Sequence, residues 1–121
     1  MKLRINGNSL RLRISQSELA RLMTVGRIQE TIQFAAASDA QLTYALTVQN
    51  AADDIRLEYL DRTVTVVLSL TAARRWAESE DVGVYADGTV ALLVEKDFAC
   101  LDGNNPEDAD AFPNPQAGVV C

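Results

Sequence analysis

The sequence predicts an α+β fold of about eight mostly antiparallel strands and two short helices, arranged as a sandwich or in a barrel-like closure. Three observations lead there. Apolar and polar residues alternate with period two along most of the chain. Two segments with helix-capping signals interrupt that alternation. The two halves of the chain also repeat one another when Ser15 is laid on Ser69, a shift of 54 residues.

The first hairpin is the plainest element. Leu3, Ile5, Leu10, Leu12 and Ile14 alternate with Lys2, Arg4, Arg11 and Arg13, as in two half-buried strands. Asn6-Gly7 and Gly7-Asn8 both suit a tight turn with positive φ. With Gly7-Asn8 as the loop, Ile5 faces Leu10, Leu3 faces Leu12, Arg4 faces Arg11 and Lys2 faces Arg13. The other choice shifts the partners and leaves the same residues on the same face. Like charges directly across a strand pair cost up to about 1 kcal/mol each. Solvent, carboxylates on a neighbouring strand, or a bound anion must offset that repulsion.

A helix follows near Ser15–Val25. Ser15 and Glu18 form a capping box, Leu19, Leu22 and Met23 make the apolar stripe, and Gly26 is a natural stop. "RIQETIQFA" and "QLTYALTVQ" then alternate as strands around a polar turn at Ala37–Ala40. "DIRLEYLD" and "RTVTVVLS" form a further pair joined near Asp61-Arg62. A second helix near Thr71–Glu80 has Thr71 or Ser69 at its cap, with Ala73, Trp76 and Ala77 inward. "VGVYADGTVALLVEKDFACL" closes the fold as a hairpin with an Asp87-Gly88 turn. Both helices are expected on one apolar sheet face.

Residues 1–101 are therefore expected to form one domain of two strand–strand–helix–strand–strand pseudo-repeats, 1–50 and 54–101. Residues 102–121 read as a tail. It carries Asp102, Glu107, Asp108 and Asp110, no basic residue, and all three prolines, so an extended or disordered course is expected. Phe112, before Pro113, is its candidate anchor to the body.

Composition narrows the class. At 121 residues, 48% hydrophobic and 23% charged, the chain is long enough for a core and too apolar for global disorder. No segment approaches the roughly 20 apolar residues of a membrane-spanning helix, and the first residues lack a signal peptide's apolar stretch. A bacterial-type cytosolic protein is the expectation, with Cys100 and Cys121 reduced and unbridged. The net charge of -6 disfavours nucleic acid, which wants a larger basic face.

"MKLRINGNSLRLRISQSE", "LLVEKDFACLD" and "DADAFPNP" resemble a family of short bacterial proteins known as a domain of unknown function. The resemblance spans nearly the whole chain. It implies a compact intracellular domain and carries no activity, ligand or catalytic residue to transfer.

The candidate chemistry centres on the hairpin cations. Glu95 and Asp97 share one face of the last strand, opposite Val94, Lys96 and Phe98. If first and last strands are neighbours, these acids neutralise the hairpin, each pair for at most ~1 kcal/mol at a surface. Otherwise Lys2, Arg4, Arg11 and Arg13 offer an anion- or partner-binding face, the arginines with planar forks for phosphate or carboxylate. Glu58 and Glu95 are then possible metal ligands beside bound phosphates. An eight-stranded barrel of two such repeats is similar to the triphosphate tunnel enzymes. Those begin with a Glu-x-Glu-x-Lys strand, whereas this chain has Lys-Leu-Arg-Ile-Asn, without the metal ligands.

Other chemistries find little purchase. Two cysteines without any histidine fall short of a structural zinc site, and the commonest general base is missing. Cys100 lies between Asp97 and Asp102, the wrong setting for a reactive thiol. Glu30, among Ile28, Ile32 and Phe34, reads as a guard on a strand edge. Trp76 reads as core, and Arg74 and Arg75 beside Glu78 and Glu80 as an exposed helix face.

The expected function is thus a small non-enzymatic binding or regulatory module whose basic hairpin contacts an acidic protein segment or a small anion. No catalytic residue or cofactor is assigned, a homodimer is compatible, and neither nucleic acid nor membrane is expected. The alternative is a metal-assisted phosphatase-like enzyme acting on a phosphorylated compound.

Overall fold

Alternation in the sequence becomes strand pairing in the computed structural model, which describes residues 1–98 and 110–113. β1 (Lys2–Asn6) and β2 (Ser9–Ile14) close around Gly7-Asn8, with Gly7 at φ 56°. Glycine takes that conformation at the first loop position without steric cost. Of the two registers open to the sequence, the chain adopts the one with Arg4 opposite Arg11 and Lys2 opposite Arg13. α1 (Gln16–Val25) has both bonds of its capping box and ends at Gly26, φ 91°.

β3 (Arg27–Gln33) pairs with β4 (Gln41–Gln49), and β5 (Ile55–Leu60) with β6 (Thr63–Ser69). The β5–β6 loop consists of Asp61 and Arg62, both at positive φ, as a two-residue turn of matching twist requires. α2 (Leu70–Ala77) is capped by Ser69, the residue equivalent to Ser15. It stops short of the expected Glu80 because the chain is drawn back. Trp76 Nε1 donates to the Val82 carbonyl at 3.0 Å, and Lys96 Nζ donates to the Ser79 carbonyl at 2.8 Å.

β7 (Gly83–Ala86) and β8 (Ala91–Lys96) form the last hairpin. Its loop differs from the expected tight Asp87-Gly88 turn. It runs from Asp87 to Val90, and Gly88 has no positive φ. The loop is tied sideways to the first hairpin instead. The Asn8 carboxamide donates to the Thr89 carbonyl, and Ala91 N donates to the Asn8 carbonyl at 3.0 Å.

The strands form two four-stranded sheets with no closed barrel, which removes the tunnel-like alternative among the described residues. One has the order β1-β2-β8-β7 and the other β3-β4-β6-β5. Each half of the chain gives one hairpin to each sheet. The 54-residue repeat lays β1 on β5, β2 on β6 and β3 on β7, and β4 then matches β8 after the shorter β7–β8 loop, so the repeat exchanges the sheets. Outer pairs are antiparallel, whereas the central pairs β2–β8 and β4–β6 are parallel.

The core lies between the sheets, built from alternate residues such as Leu12, Ile14, Leu46, Val66, Leu68 and Val94, with Leu22 and Trp76 from the helices. Both helices pack on the second sheet, as expected, and touch each other: α1 lies on β3 and β4 and α2 on β4 and β6, while α2 also reaches β7 of the other sheet. Buried residues of both helices and both sheets join in one cluster. Phe112 is the anchor of its segment: its N–H donates to the Asp97 carbonyl at 2.8 Å, and its ring meets Phe98 edge-on at 6.1 Å.

Gly83 is required by close approach. A Cβ there would run into the Val94 carbonyl oxygen, and would lie 3.0 Å from both Glu95 Cγ and Tyr85 Oη. Gly83→Ala should lower the free energy of unfolding by about 1–3 kcal/mol. Gly88→Ala, whose added carbon meets nothing nearer than 3.8 Å, should stay within ~0.5 kcal/mol of wild type. Urea titrations of the two variants measure this, and equal stabilities would contradict the seating of β7 against β8.

Candidate functional site

The parallel β2–β8 pairing decides what surrounds the basic hairpin. Its register sets Arg13 beside Glu95 and Arg11 beside Leu93, and β8 in turn sets Glu95 beside Gly83 and Leu93 beside Tyr85. Two rows of side chains therefore cross the outer face of this sheet. One reads Arg4, Arg11, Leu93, Tyr85; the other reads Lys2, Arg13, Glu95, Gly83. Period-two alternation places all of them on the solvent side, away from Leu12 and Val94.

Glu95 is the hub. Its Oε1 lies 3.1 Å from Arg11 Nε and 3.6 Å from Arg13 Nε, while its Oε2 accepts from the Tyr85 hydroxyl at 3.0 Å. The missing side chain at Gly83 leaves the space in which Tyr85 and Glu95 meet. Arg11 Nε is buried and faces Glu95 as an ion pair without hydrogen-bond alignment. Asp97 takes Lys2 Nζ at 2.9 Å. The carboxylates foreseen as neutralisers thus stand among the cations.

Among the described residues neutralisation is uneven: Glu95 meets Arg11 and Arg13, and Asp97 meets Lys2. Arg4 is the residue left over: among the described residues it has no ion pair or hydrogen bond through its side chain. It borders a depression of about 120 Å³ lined by Arg4, Asn6, Ser9 and Arg11. Every lining side chain carries a hydrogen-bond donor and none is acidic. On the other side of the Arg4–Arg11 pair a second depression, about 310 Å³, is lined by Lys2, Leu3, Arg4, Arg11 and Arg13.

Glu58 is elsewhere. It stands on the outer face of the second sheet, where Arg56 Nη2 lies 2.9 Å from its Oε1. Glu58 and Glu95 therefore do not assemble around one metal. Among the described residues, no group of three or more metal-ligating side chains comes together. Glu30 does lie on an edge strand, and it shares the Met1 ammonium with Glu18, at 3.0 Å from Glu30. Burial pulls that ammonium's pKa down, but the two carboxylates outweigh it and raise the value overall. Cys100, Cys121, Asp102, Glu107 and Asp108 lie outside the described residues, so the expectations for the thiols do too.

Three participants escaped the sequence reading. Asn6 and Ser9 share the parity of Arg4 and Arg11, a signal that was present. Tyr85 needed the knowledge that β7, β8 and β2 are neighbours. Lys96 is also unexpected in degree: its side chain is buried and its Nζ sits 5.5 Å from the Phe112 ring centre. Burial lowers its pKa, with Asp81 and Glu80 opposing.

The model of the Family of unknown function (DUF7009) matches residues 1–116. The chain belongs to this family. No curated protein and no solved structure matches it. Membership in DUF7009 covers both sheets, both helices and the Phe112 anchor, and it assigns no chemistry to any residue. Among the described residues, no helix is long and apolar enough to cross a membrane.

Burial, followed by the charge and hydrogen bond of Glu95, pushes the Tyr85 hydroxyl up to about 12. The folded state therefore holds this proton more tightly than the unfolded chain, whose tyrosines ionise near 10. The resulting stabilisation is fully present below pH ~10 and is lost as pH rises from there through about 12. Ultraviolet titration of wild type against Tyr85→Phe should show the Tyr85 step near the top of that range. Glu95→Gln should move the step back toward 10. An unshifted step in Glu95→Gln would mean that the carboxylate does not hold this proton.

Proposed function

We propose that this chain is a small cytoplasmic, non-enzymatic binding or regulatory module that receives an anionic group on the outer face of its first hairpin. The anion is a carboxylate of an acidic partner segment or a small oxyanion such as phosphate. One observation carries the reading: Arg4 is left without a carboxylate among the described residues. It also stands at a depression whose other lining groups, Asn6, Ser9 and Arg11, are donors. Charge-assisted hydrogen bonds of this kind are about twice as strong as neutral ones. A guanidinium fork suits the planar or tetrahedral oxygens of carboxylate and phosphate.

The charge distribution supports the same reading. Arg4 stands directly opposite Arg11 in a protein of net charge -6, and a bound anion would relieve the repulsion between the two. Arg11 is already drawn toward Glu95, so it serves as the inner wall of the site while Arg4 is its open arm. The cytoplasmic assignment rests on composition alone, since two cysteines are too few for a disulfide-stapled scaffold.

Arg4→Gln is the informative variant, because replacing Arg11 also disturbs Glu95. Phosphate at about ten times its dissociation constant should stabilise the wild type by about 1.4 kcal/mol, seen as a rise in Tm of a few degrees over a chloride control of equal ionic strength. The rise should vanish in Arg4→Gln and shrink with added salt, since screening acts within ~8 Å at physiological ionic strength. The variant without phosphate should be as stable as wild type or slightly more so. An unchanged wild-type Tm with phosphate, and with a soluble polyglutamate, would refute the anion site.

A further inference from the structure

β1 is the outermost strand of its sheet. It pairs with β2 on one side, and among the described residues its other side makes no backbone hydrogen bond. Such an edge carries unpaired N–H and C=O groups that can take another strand. Its side chains are unusual on both faces. Ile5 stands opposite Leu10 on the core-facing side, yet it is 61% exposed where Leu10 is 6% exposed. On the outer side stands Arg4, without a partner among the described residues. One edge thus offers open backbone groups, an uncovered apolar side chain and an unsatisfied cation.

We propose that the β1 edge docks an extended acidic segment of a partner protein, which adds to the sheet as a fifth strand. Alternating residues of that segment divide between the faces. Acidic side chains lie over Arg4 on the outside, and apolar ones lie beside Ile5 on the inside. Main-chain bonds supply affinity and the side-chain alternation supplies specificity, as in strand addition generally. The inference rests on the anion-binding reading above and commits it to one ligand class. A small anion uses neither Ile5 nor the backbone. A second copy of this chain pairing edge to edge would set Lys2 and Arg4 of each against those of the other, where like charges repel.

The test uses the full chain and a short capped peptide alternating Glu and Val, followed by fluorescence anisotropy and amide exchange. The peptide should bind and slow exchange of β1 amides. Methylating alternate peptide nitrogens keeps its charge and removes its strand donors, and should weaken binding by roughly tenfold or more. Arg4→Gln and Ile5→Ser should each weaken the unmodified peptide. Equal binding of the methylated and unmodified peptides, or no peptide binding while phosphate still raises Tm, would overturn edge docking and leave the anion site standing. Silence of both phosphate and peptide would remove the anion site and this inference together. A peptide-free dimer that Ile5→Ser dissociates would give the edge to a second copy instead.

Discussion

The parallel seating of β8 against β2 is the constraint on which the rest depends. It joins the first and last hairpins, fixes the first sheet, and inserts Glu95 between Arg11 and Arg13. The same step places Val94 at 0% exposure against Leu12 at 1%, so one register serves the core and the charged face together. A one-residue slip would send Glu95 into the core and Val94 into solvent. The hydrophobic pattern therefore pins the electrostatics. Because strand register is held by many buried side chains, the position of the carboxylate needs no support from its own ion pairs.

This ordering explains why the hairpin tolerates Arg4 opposite Arg11. Burial of Leu10, Leu12 and Ile14 at roughly 1.5–3 kcal/mol each outweighs like-charge pairs costing up to about 1 kcal/mol. Glu95 and Asp97 then recover part of that cost, at surface-pair values. Among the described residues Arg4 is left over, on the strand of this sheet farthest from β8. Proximity to the acids falls from β2 outward to β1, and Arg4 lies beyond the reach of Glu95 while Lys2 finds Asp97 past the end of β8. Position in the sheet, more than residue type, separates the paired cations from the open one.

Much of this was legible in the sequence because it is local. The capping box of Ser15 and Glu18, a tight turn at Gly7 and the alternation of Leu3, Ile5, Leu10, Leu12 and Ile14 state their own geometry. What the sequence concealed is the exchange of hairpins between sheets, since two similar halves pack equally well on paper as separate units. The Asp87-Gly88 loop shows the limit from the other side. Its dipeptide favours a tight turn, but contacts from Asn8 to Thr89 and Ala91 widen it, and those depend on a neighbour 81 residues away in sequence. Tyr85 and Gly83 were hidden for the same reason, as their roles exist only once β7 borders β8.

The pseudo-repeat supplies an internal comparison between what the fold needs and what it does not. Under the 54-residue shift, the core pairs Leu12 with Val66, Ile14 with Leu68 and Leu22 with Trp76, all buried, and the caps pair Ser15 with Ser69. The outer face does not follow. Arg4 falls on Glu58, Arg11 on Thr65 and Arg13 on Val67. On β5 the equivalents of Lys2 and Arg4 are Arg56 and Glu58, which neutralise each other at 2.9 Å, so that edge is blunted by its own charges. The same backbone thus folds with a self-satisfied edge in one half and with like cations on the edge in the other. Folding alone does not call for Arg4. The outer face of β1 is thus free of the constraint that the core imposes, and the anion site proposed above would account for the cation kept there.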